Sequence, residues 1–178
     1  MNRRPAPGRL PTQPIALAGF MGAGKSTVGR VLADLLERPF DDTDAEVERR
    51  TGRTVPSFFP DAEAEFRRLE AEVVAGLLGQ GPSVIALGGG ALLDENSRRR
   101  LREEAILVHL HLPWEELEAQ VAGMAPTRPL LRGRSPADIH ELYLARLPLY
   151  REAAIEVEVD RTGPEAAAAA VLAALLVR

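Results

Sequence analysis

Eight consecutive residues near the start of the chain have the types and spacing needed to hold a row of phosphates. They read GFMGAGKS at positions 19–26 and match G-x-x-x-x-G-K-[ST], in which glycines let successive backbone N–H groups point inward around an anion. The lysine of such a loop reaches the β- and γ-phosphates, and the last hydroxyl ligates Mg²⁺. The residues predicted to bind a nucleoside triphosphate are Gly22, Ala23, Gly24, Lys25, Ser26 and Thr27. The simpler alternative is a glycine turn with an incidental lysine.

The lysine of this loop is unusual within the chain. Lysine and arginine total 22, and Lys25 is the only lysine. A mutational bias that exchanges lysine for arginine would explain the count. It would still leave one compact ammonium group, and ammonium and guanidinium are not interchangeable at a phosphate. The position of Lys25 therefore supports the phosphate-loop prediction.

Two carboxylates are predicted to lie at the end of the next strand. Asp42 and Asp44 are two residues apart, at the edge where open α/β sheets bind their ligands. One carboxylate can serve Mg²⁺, and the other can face the molecule that accepts the phosphoryl group. The alternative is a solvated acidic turn in which Asp44 caps the following helix.

Two arginines and a glycine triplet could complete a site for an anionic acceptor. Arg67 and Arg146 carry planar guanidinium groups, which can bind a carboxylate through two parallel hydrogen bonds. The triplet at 88–90 follows a buried strand and lets the backbone approach a ligand closely. Taken singly, Arg67 would be a surface partner of Glu70 at i,i+3, Arg146 a solvated helix residue, and the triplet a loose turn.

Five short strings, taken together, resemble the shikimate kinase family in their order and spacing. FDDTD at 40–44 is similar to the F-x-D-x-D element of that family. It is followed by EAEFRRLE at 63–70, GGGA at 88–91, RPLL at 128–131 and RLPLY at 146–150. With the phosphate loop, the resemblance extends from residue 15 to about residue 160. Each string alone is weak, but the ordered set is specific.

The resemblance implies an activity and a role for each residue. The activity is transfer of the γ-phosphate of ATP to the 3-hydroxyl of shikimate by direct in-line displacement, with Mg²⁺, giving shikimate 3-phosphate and ADP. Ser26 and Asp42 are implied on the magnesium side, and Asp44 is the candidate base. The implied catalytic residues are Lys25, Asp44 and Arg128, where Arg128 also binds ATP. The implied shikimate-binding residues are Asp44, Arg67, Gly88, Gly89, Gly90 and Arg146.

Residues 123–136 resemble the lid of the family, and the chain departs from the family pattern just before it. An arginine on a mobile lid could neutralise charge on the transferred phosphoryl group while closure excludes water. Family members often carry an adenine-stacking arginine seven residues before the RPLL arginine, where this chain has Val121. Ala62 stands where the family usually has glycine. The first departure puts the grip on adenine in question.

The elements that must position these residues alternate between strands and helices. Apolar runs predict strands at 15–18, 40–42, 83–87, 106–112 and 155–159. Helices are expected at 24–37, 45–51, 62–78, 95–104, 113–122, 137–152 and from 164. This order predicts one P-loop kinase domain over 15–178, a three-layer α/β/α fold with a five-stranded parallel sheet covered by helices on both faces. Residues 1–14, with four prolines, are expected to form a flexible tail.

Composition excludes several classes of protein. The chain has 178 residues, a net charge of -4 and no cysteine. Disulfides and thiolate metal sites are therefore excluded, and a protein that coats nucleic acid would carry surplus cations. The longest apolar run, at 166–177, is shorter than the roughly 20 residues that a membrane span needs. We expect a cytoplasmic monomer with no nucleic-acid or membrane partner.

Rival interpretations remain for the acceptor and for some side chains. A related P-loop kinase for gluconate or a nucleoside monophosphate is the nearest rival, and a nucleotide-binding regulator without catalysis is the second. A GTPase is disfavoured because no N-K-x-D motif is present. His109 and His111 share a strand face, but no nearby carboxylate is evident, so we interpret them as polar positions on a mostly buried strand. Trp114 is expected to pack at a helix start.

Overall fold

The computed structural model describes residues 10–124, 131, 133–159 and 162–177. Five strands form one parallel sheet in the order β2-β3-β1-β4-β5. Their bounds are β1 Ile15–Ala18, β2 Phe40–Asp42, β3 Val84–Ala86, β4 Ile106–His111 and β5 Ile155–Glu158. The predicted parallel sheet is confirmed.

Seven α-helices are present in the described residues. They are α1 Lys25–Leu36, α2 Thr43–Thr51, α3 Glu63–Leu78, α4 Glu95–Glu104, α5 Trp114–Met124, α6 Pro136–Tyr150 and α7 Pro164–Val177. A short 3-10 helix, Val55–Phe58, precedes α3. Since crossovers between parallel strands are right-handed, the strand order puts α1 on one face of the sheet and α2 to α6 on the other. α7 follows the last strand and packs against α1 on the first face. The sheet therefore lies between two layers of helices, as expected for a three-layer α/β/α fold.

Strands β1 and β3 are apolar on both faces because helices cover both. Every residue of β1 is buried, as is every residue of β3. α1 lies close to the sheet at Gly29, where a Cβ would be 2.6 Å from the Phe40 ring. Close packing of this kind fixes α1, and with it the phosphate loop that precedes it, against the sheet.

Several boundaries differ by one or two residues from the sequence-based prediction, and two of them are informative. Helix α2 begins at Thr43, two residues earlier than expected, because the Asp42 side chain accepts hydrogen bonds from the backbone N–H groups of Asp44 and Ala45. Asp42 is therefore the N-cap, and the alternative role of Asp44 as the cap is wrong. Pro113 lies before α5 and accepts hydrogen bonds through its carbonyl from the N–H groups of Glu116 and Leu117.

The described end of the expected tail is held against the fold. Pro14 is buried, and its carbonyl accepts a hydrogen bond from the N–H of Ile106 at 2.8 Å. Arg38 donates to the carbonyls of Pro11 and Gln13. In the described part of the chain, no helix combines the length and apolar character that a bilayer crossing requires.

Candidate active site

The phosphate loop joins β1 to α1 and closes around its own lysine. Gly24 has a φ of 76° and is the N-cap of α1, so the loop enters the helix through a left-handed residue that favours glycine. Lys25 Nζ donates to the carbonyl oxygens of Gly19 at 2.8 Å and Phe20 at 3.1 Å. The loop N–H groups, the lysine and the helix N-terminus therefore present positive charge in one place.

Ser26 and Asp42 meet at the start of the loop helix and the end of β2. Ser26 Oγ donates to Asp42 Oδ2 at 2.6 Å, while Asp42 Oδ1 caps α2. Alcohol and carboxylate oxygens are the hard ligands that Mg²⁺ takes, usually with several waters retained. These oxygen atoms therefore fit a magnesium site. The two Asp42 oxygens differ in role, because Oδ2 accepts from Ser26 and Oδ1 caps α2.

One cavity brings the phosphate loop and the two carboxylates together. Its volume is about 390 Å³. It is lined by Met21, Gly22, Gly24, Lys25, Ser26, Thr27, Asp42, Asp44, Leu87, Gly88, Gly89 and Gln120. Phosphate-binding backbone at one end and acceptor-side carboxylate at the other are what a direct phosphoryl transfer needs, since donor and acceptor must lie in line.

Two residues of the glycine triplet lie very close to charged side chains. A Cβ at Gly88 would collide with Asp44 Oδ1 and would lie 2.6 Å from Glu70 Oε1. A Cβ at Gly90 would collide with the Arg67 guanidinium. Gly88 also donates its N–H to Thr43 Oγ1 at 2.7 Å, and Thr43 is fully buried. Gly88 and Gly90 thus form a wall close to charged side chains, whereas a Cβ at Gly89 would meet nothing within 4 Å.

Arg67 is held by two glutamates on its own helix. Its Nη1 donates to Glu70 Oε2 at 2.8 Å, and its Nη2 donates to Glu63 Oε1 at 3.1 Å. Glu70 is only 3% exposed, and burial raises the pKa of its carboxyl, with Arg67 acting in the opposite direction. The i,i+3 pair is therefore present, but it is a largely buried pair at the glycine wall and not a surface pair.

Arg146 reaches the same wall from α6. It is 9% exposed, and its Nη1 donates to the carbonyl oxygen of Gly89. Burial raises the pKa of the adjacent Tyr150 to about 12, and the Arg146 charge acts in the opposite direction. A guanidinium this deeply buried is not the solvated helix residue of the simpler interpretation.

A second cavity continues from the phosphate loop toward α7 and bears on the adenine question. It has a volume of about 240 Å³ and is lined by Gly22, Ala23, Gly24, Thr27, Val28, Leu112, Gln120, Val159, Gly163, Pro164 and Ala167. Val121 is 2% exposed and belongs to the core, whereas its neighbour Gln120 lines both cavities. The position seven residues before Arg128 therefore lies in the core, and the residue that faces the cavities is its neighbour Gln120.

The structure brings most of the predicted residues to one end of the sheet. Arg67 and Arg146 do not line the 390 Å³ cavity, but Arg146 contacts Gly89, which does, and Arg67 packs at the adjacent Gly90. Arg128 and half of the expected lid, residues 125–130 and 132, lie outside the described residues. Sequence reasoning assigned no role to Glu70, Thr43 or Gln120. The sequence did contain a signal that Glu70 is buried, because it shares the helical spacing of Phe66, Val73 and Leu77 on the buried face of α3.

A model of one protein family, described as shikimate kinase, matches residues 21–176. The shikimate kinase of Thermobifida fusca is 44% identical over 162 residues, which cover 89% of this chain and 93% of that protein. The shikimate kinase of Caulobacter vibrioides is 42% identical over 172 residues, covering 96% and 84%. Both matches extend well beyond the phosphate loop.

A similar fold is found among solved structures. The structure of shikimate kinase from Acinetobacter baumannii in complex with shikimate superposes with a TM-score of 0.87 and 39% sequence identity. The superposition covers 93% of each chain. The sheet, the surrounding helices and their order are therefore shared with that enzyme.

Proposed function

The chain belongs to the shikimate kinase family, which transfers the γ-phosphate of ATP to shikimate, and from that premise we propose how its own residues divide the reaction. The phosphate loop holds the ATP phosphates, and Lys25 stabilises the β- and γ-phosphate charge. Asp44 orients the accepting hydroxyl and takes its proton. Arg67 and Arg146 bind the carboxylate of shikimate.

The observation that carries this proposal is the 390 Å³ cavity. It is lined at once by the phosphate loop, by Asp44 and by two residues of the glycine triplet. A nucleotide-binding regulator would need only the first of these. The acceptor carboxylate Asp44 in the same cavity supports transfer to a bound hydroxyl, because the nucleophile and the phosphoryl group must be held in contact and in line.

Ser26 and Asp42 would hold Mg²⁺, which would neutralise negative charge on the ATP phosphates. The two roles of Asp42 can be separated by choice of variant. Asparagine caps helices about as well as aspartate, so Asp42→Asn should keep α2 intact and raise the magnesium concentration needed for half-maximal rate. Asp42→Ala should do the same and also lower the melting temperature. Equal magnesium requirements in the parent and Asp42→Asn enzymes would remove Asp42 from the metal site.

Arg67 and Arg146 approach the triplet from different helices. Arg67 packs at Gly90 and Arg146 donates to the carbonyl of Gly89, so their guanidinium groups flank a short stretch of rigid backbone. Two planar cations there suit a carboxylate, which accepts paired hydrogen bonds. Such a clamp would favour shikimate, a carboxylic acid, over a neutral acceptor.

The test of the whole assignment is ADP release measured with shikimate, gluconate and nucleoside monophosphates as acceptors. We expect magnesium-dependent release with shikimate and little with the others. Asp44→Asn is the matched control, since it should bind ATP and leave only the slow hydrolysis that occurs without an acceptor. Comparable rates with gluconate or a nucleoside monophosphate would contradict shikimate as the acceptor, although the assignment as a kinase would stand.

All residues proposed for the reaction come from one chain, which supports action as a monomer. Light scattering during size-exclusion chromatography at the concentrations used for the rate assay tests this. A dimer whose dissociation abolished turnover would contradict it.

A further inference from the structure

A cluster of two histidines and a glutamate lies across β4 and β5, apart from the groups proposed for phosphoryl transfer. His109 and His111 are two residues apart on β4, so their side chains emerge on the same face of the sheet. Glu156 on β5 is the register partner of His109. Sequence reasoning set the histidines aside because no carboxylate was evident, and the pairing of β4 with β5 supplies one.

The face that carries the cluster is opposite to α1. Leu17 of β1 lies toward α1, since a Cβ at Gly29 would be 3.3 Å from its Cδ1. Leu17 pairs in register with Val108, so the neighbouring His109 and His111 point to the other face. There His109 stacks on Tyr150 at the end of α6, with ring centroids 5.3 Å apart.

The ligand atoms of the three side chains converge. His109 Nδ1 and Glu156 Oε2 are 2.8 Å apart, and the two imidazole centroids are 5.4 Å apart. One ligand atom from each residue can be chosen so that all three lie within 4.8 Å of one another. The ligand atoms of a tetrahedral zinc ion are about 3.4 Å apart for bonds of about 2.1 Å. Closing the difference requires small movements of these side chains, and that of Glu156 is 50% exposed.

An ion pair between His109 and Glu156 explains only part of this cluster. It accounts for His109, which is 2% exposed. It does not account for His111 Nδ1, which is buried without a hydrogen-bond partner among the residues that the structure describes. A buried ring nitrogen of this kind costs free energy unless something binds it. An ion that binds both rings would satisfy it.

We propose that His109, His111 and Glu156 bind a divalent transition-metal ion of the zinc type, at a site separate from the magnesium of phosphoryl transfer. Imidazole nitrogen with one carboxylate is a ligand set that suits Zn²⁺, whereas Mg²⁺ prefers oxygen ligands alone. The bound ion links the edge strand β5 to β4. Exposure of Glu156 gives the ion a path from solvent, and a water fills the fourth position.

Some charged groups around the site favour the binding of a cation, and others oppose it. A ring nitrogen must be unprotonated to bind a metal, so metal binding would release the proton that His109 Nδ1 and Glu156 share in their hydrogen bond. The hydrogen bond from His109 lowers the pKa of Glu156. Arg151 is the nearby cation that opposes a metal, and Glu158, the register partner of His111, partly offsets it.

The experiment is a calorimetric titration of the full chain with Zn²⁺, without nucleotide and in excess Mg²⁺ so that the phosphate-loop site does not take up zinc. Co²⁺ absorption in the visible range, repeated under the same conditions, reports the nitrogen ligands. We expect one ion per chain and a melting temperature that rises with zinc concentration. The third histidine of the chain, His140, stacks on Trp114 outside the site, so His140→Ala is the matched control.

His111→Ala and Glu156→Gln should each weaken zinc binding at least about tenfold, because even outer partners of metal ligands cost roughly 10–100-fold when removed. Both variants should turn over shikimate with Mg-ATP as the parent does, which shows that they are folded. If His111→Ala fails to fold, the exposed Glu156→Gln carries the test alone. No zinc binding by the parent, or equal affinity in the parent, Glu156→Gln and His140→Ala, would overturn the site.

Discussion

The two ends of the 390 Å³ cavity are built in different ways. The phosphate end is eight consecutive residues, and its binding groups are chiefly backbone N–H groups at the start of α1. The other end, the proposed acceptor end, is lined by Asp44, Gly88 and Gly89, which come from separate segments. The buried charged side chains of Glu70 and Arg146 pack against the glycine triplet there without lining the cavity. A local backbone site depends on few side chains. A site of converging charges depends on every partner being present.

If this contrast is correct, Lys25 is the one side chain at the phosphate end whose loss should be severe. Lys25→Ala should lower kcat by about 10³-fold or more, the scale for a cation that stabilises the transferred phosphoryl group. Since Lys25 is the only lysine, an amine-directed reagent should modify just this residue and the N-terminus, and saturating Mg-ATP should protect it. Full activity after quantitative labelling of Lys25 would contradict the proposed role of Lys25 in the phosphate loop.

At the acceptor end, the largest effect is expected from Asp44→Asn. Removing a general base typically costs about 10²–10⁴-fold in rate, and the affinity for ATP should be unchanged because Asp44 is proposed to face the acceptor. Rapid-quench turnover and equilibrium nucleotide binding measure the two quantities. The comparison between the two ends would fail if Asp44→Asn weakened ATP as much as it slowed transfer.

Substitution of Arg67 tests whether the acceptor end reads a carboxylate. Lysine keeps the charge but loses the planar fork, so Arg67→Lys should raise the KM for shikimate and spare ATP. A lost charge-assisted hydrogen bond costs about 1.5–3 kcal/mol, or roughly a tenfold to more than a hundredfold weakening. Arg146→Lys should behave similarly, and the double variant should fall short of additivity because one carboxylate is shared.

A methyl ester of shikimate is the ligand control for that pair. It should bind worse than the acid to the parent enzyme and be penalised much less in the double variant. If the parent and the double variant distinguished acid from ester equally, the arginines would not contact the carboxylate, and the proposed acceptor would need revision.

Glu70→Gln should give the smallest effect and reports on charge burial alone. Because burial raises the folded-state pKa of Glu70 above its ordinary 4.5, the folded state holds this proton more tightly than the unfolded state. Stability from this group therefore falls as the pH rises from about 4.5 through the raised pKa. Melting temperatures measured across pH should show a shallower decline in Glu70→Gln than in the parent. Identical slopes would mean that the carboxyl is not desolvated.

The same contrast explains how much could be predicted from sequence. The parallel sheet and the phosphate loop follow from local patterns, and both are present as expected. The contact of Arg146 with Gly89 joins residues 57 apart, and the pairing of His109 with Glu156 joins residues 47 apart. Neither follows from periodicity, because each depends on which strands and helices become neighbours. The one-residue shift from Val121 to Gln120 depends on the rotation of α5, which counting along the sequence does not reveal.

Asp42 makes the first turn of α2 a reporter of the phosphate loop. One oxygen of its carboxylate holds the N–H groups of Asp44 and Ala45, and the other holds the Ser26 hydroxyl. Any ligand that competes for this carboxylate changes the strength of the cap, and by linkage a stronger cap changes the affinity for that ligand by the same factor. Amide hydrogen exchange at Ala45 would then differ between the empty and the nucleotide-loaded enzyme. The acceptor end would thus sense the nucleotide through the fraying of a helix, without any movement of the sheet.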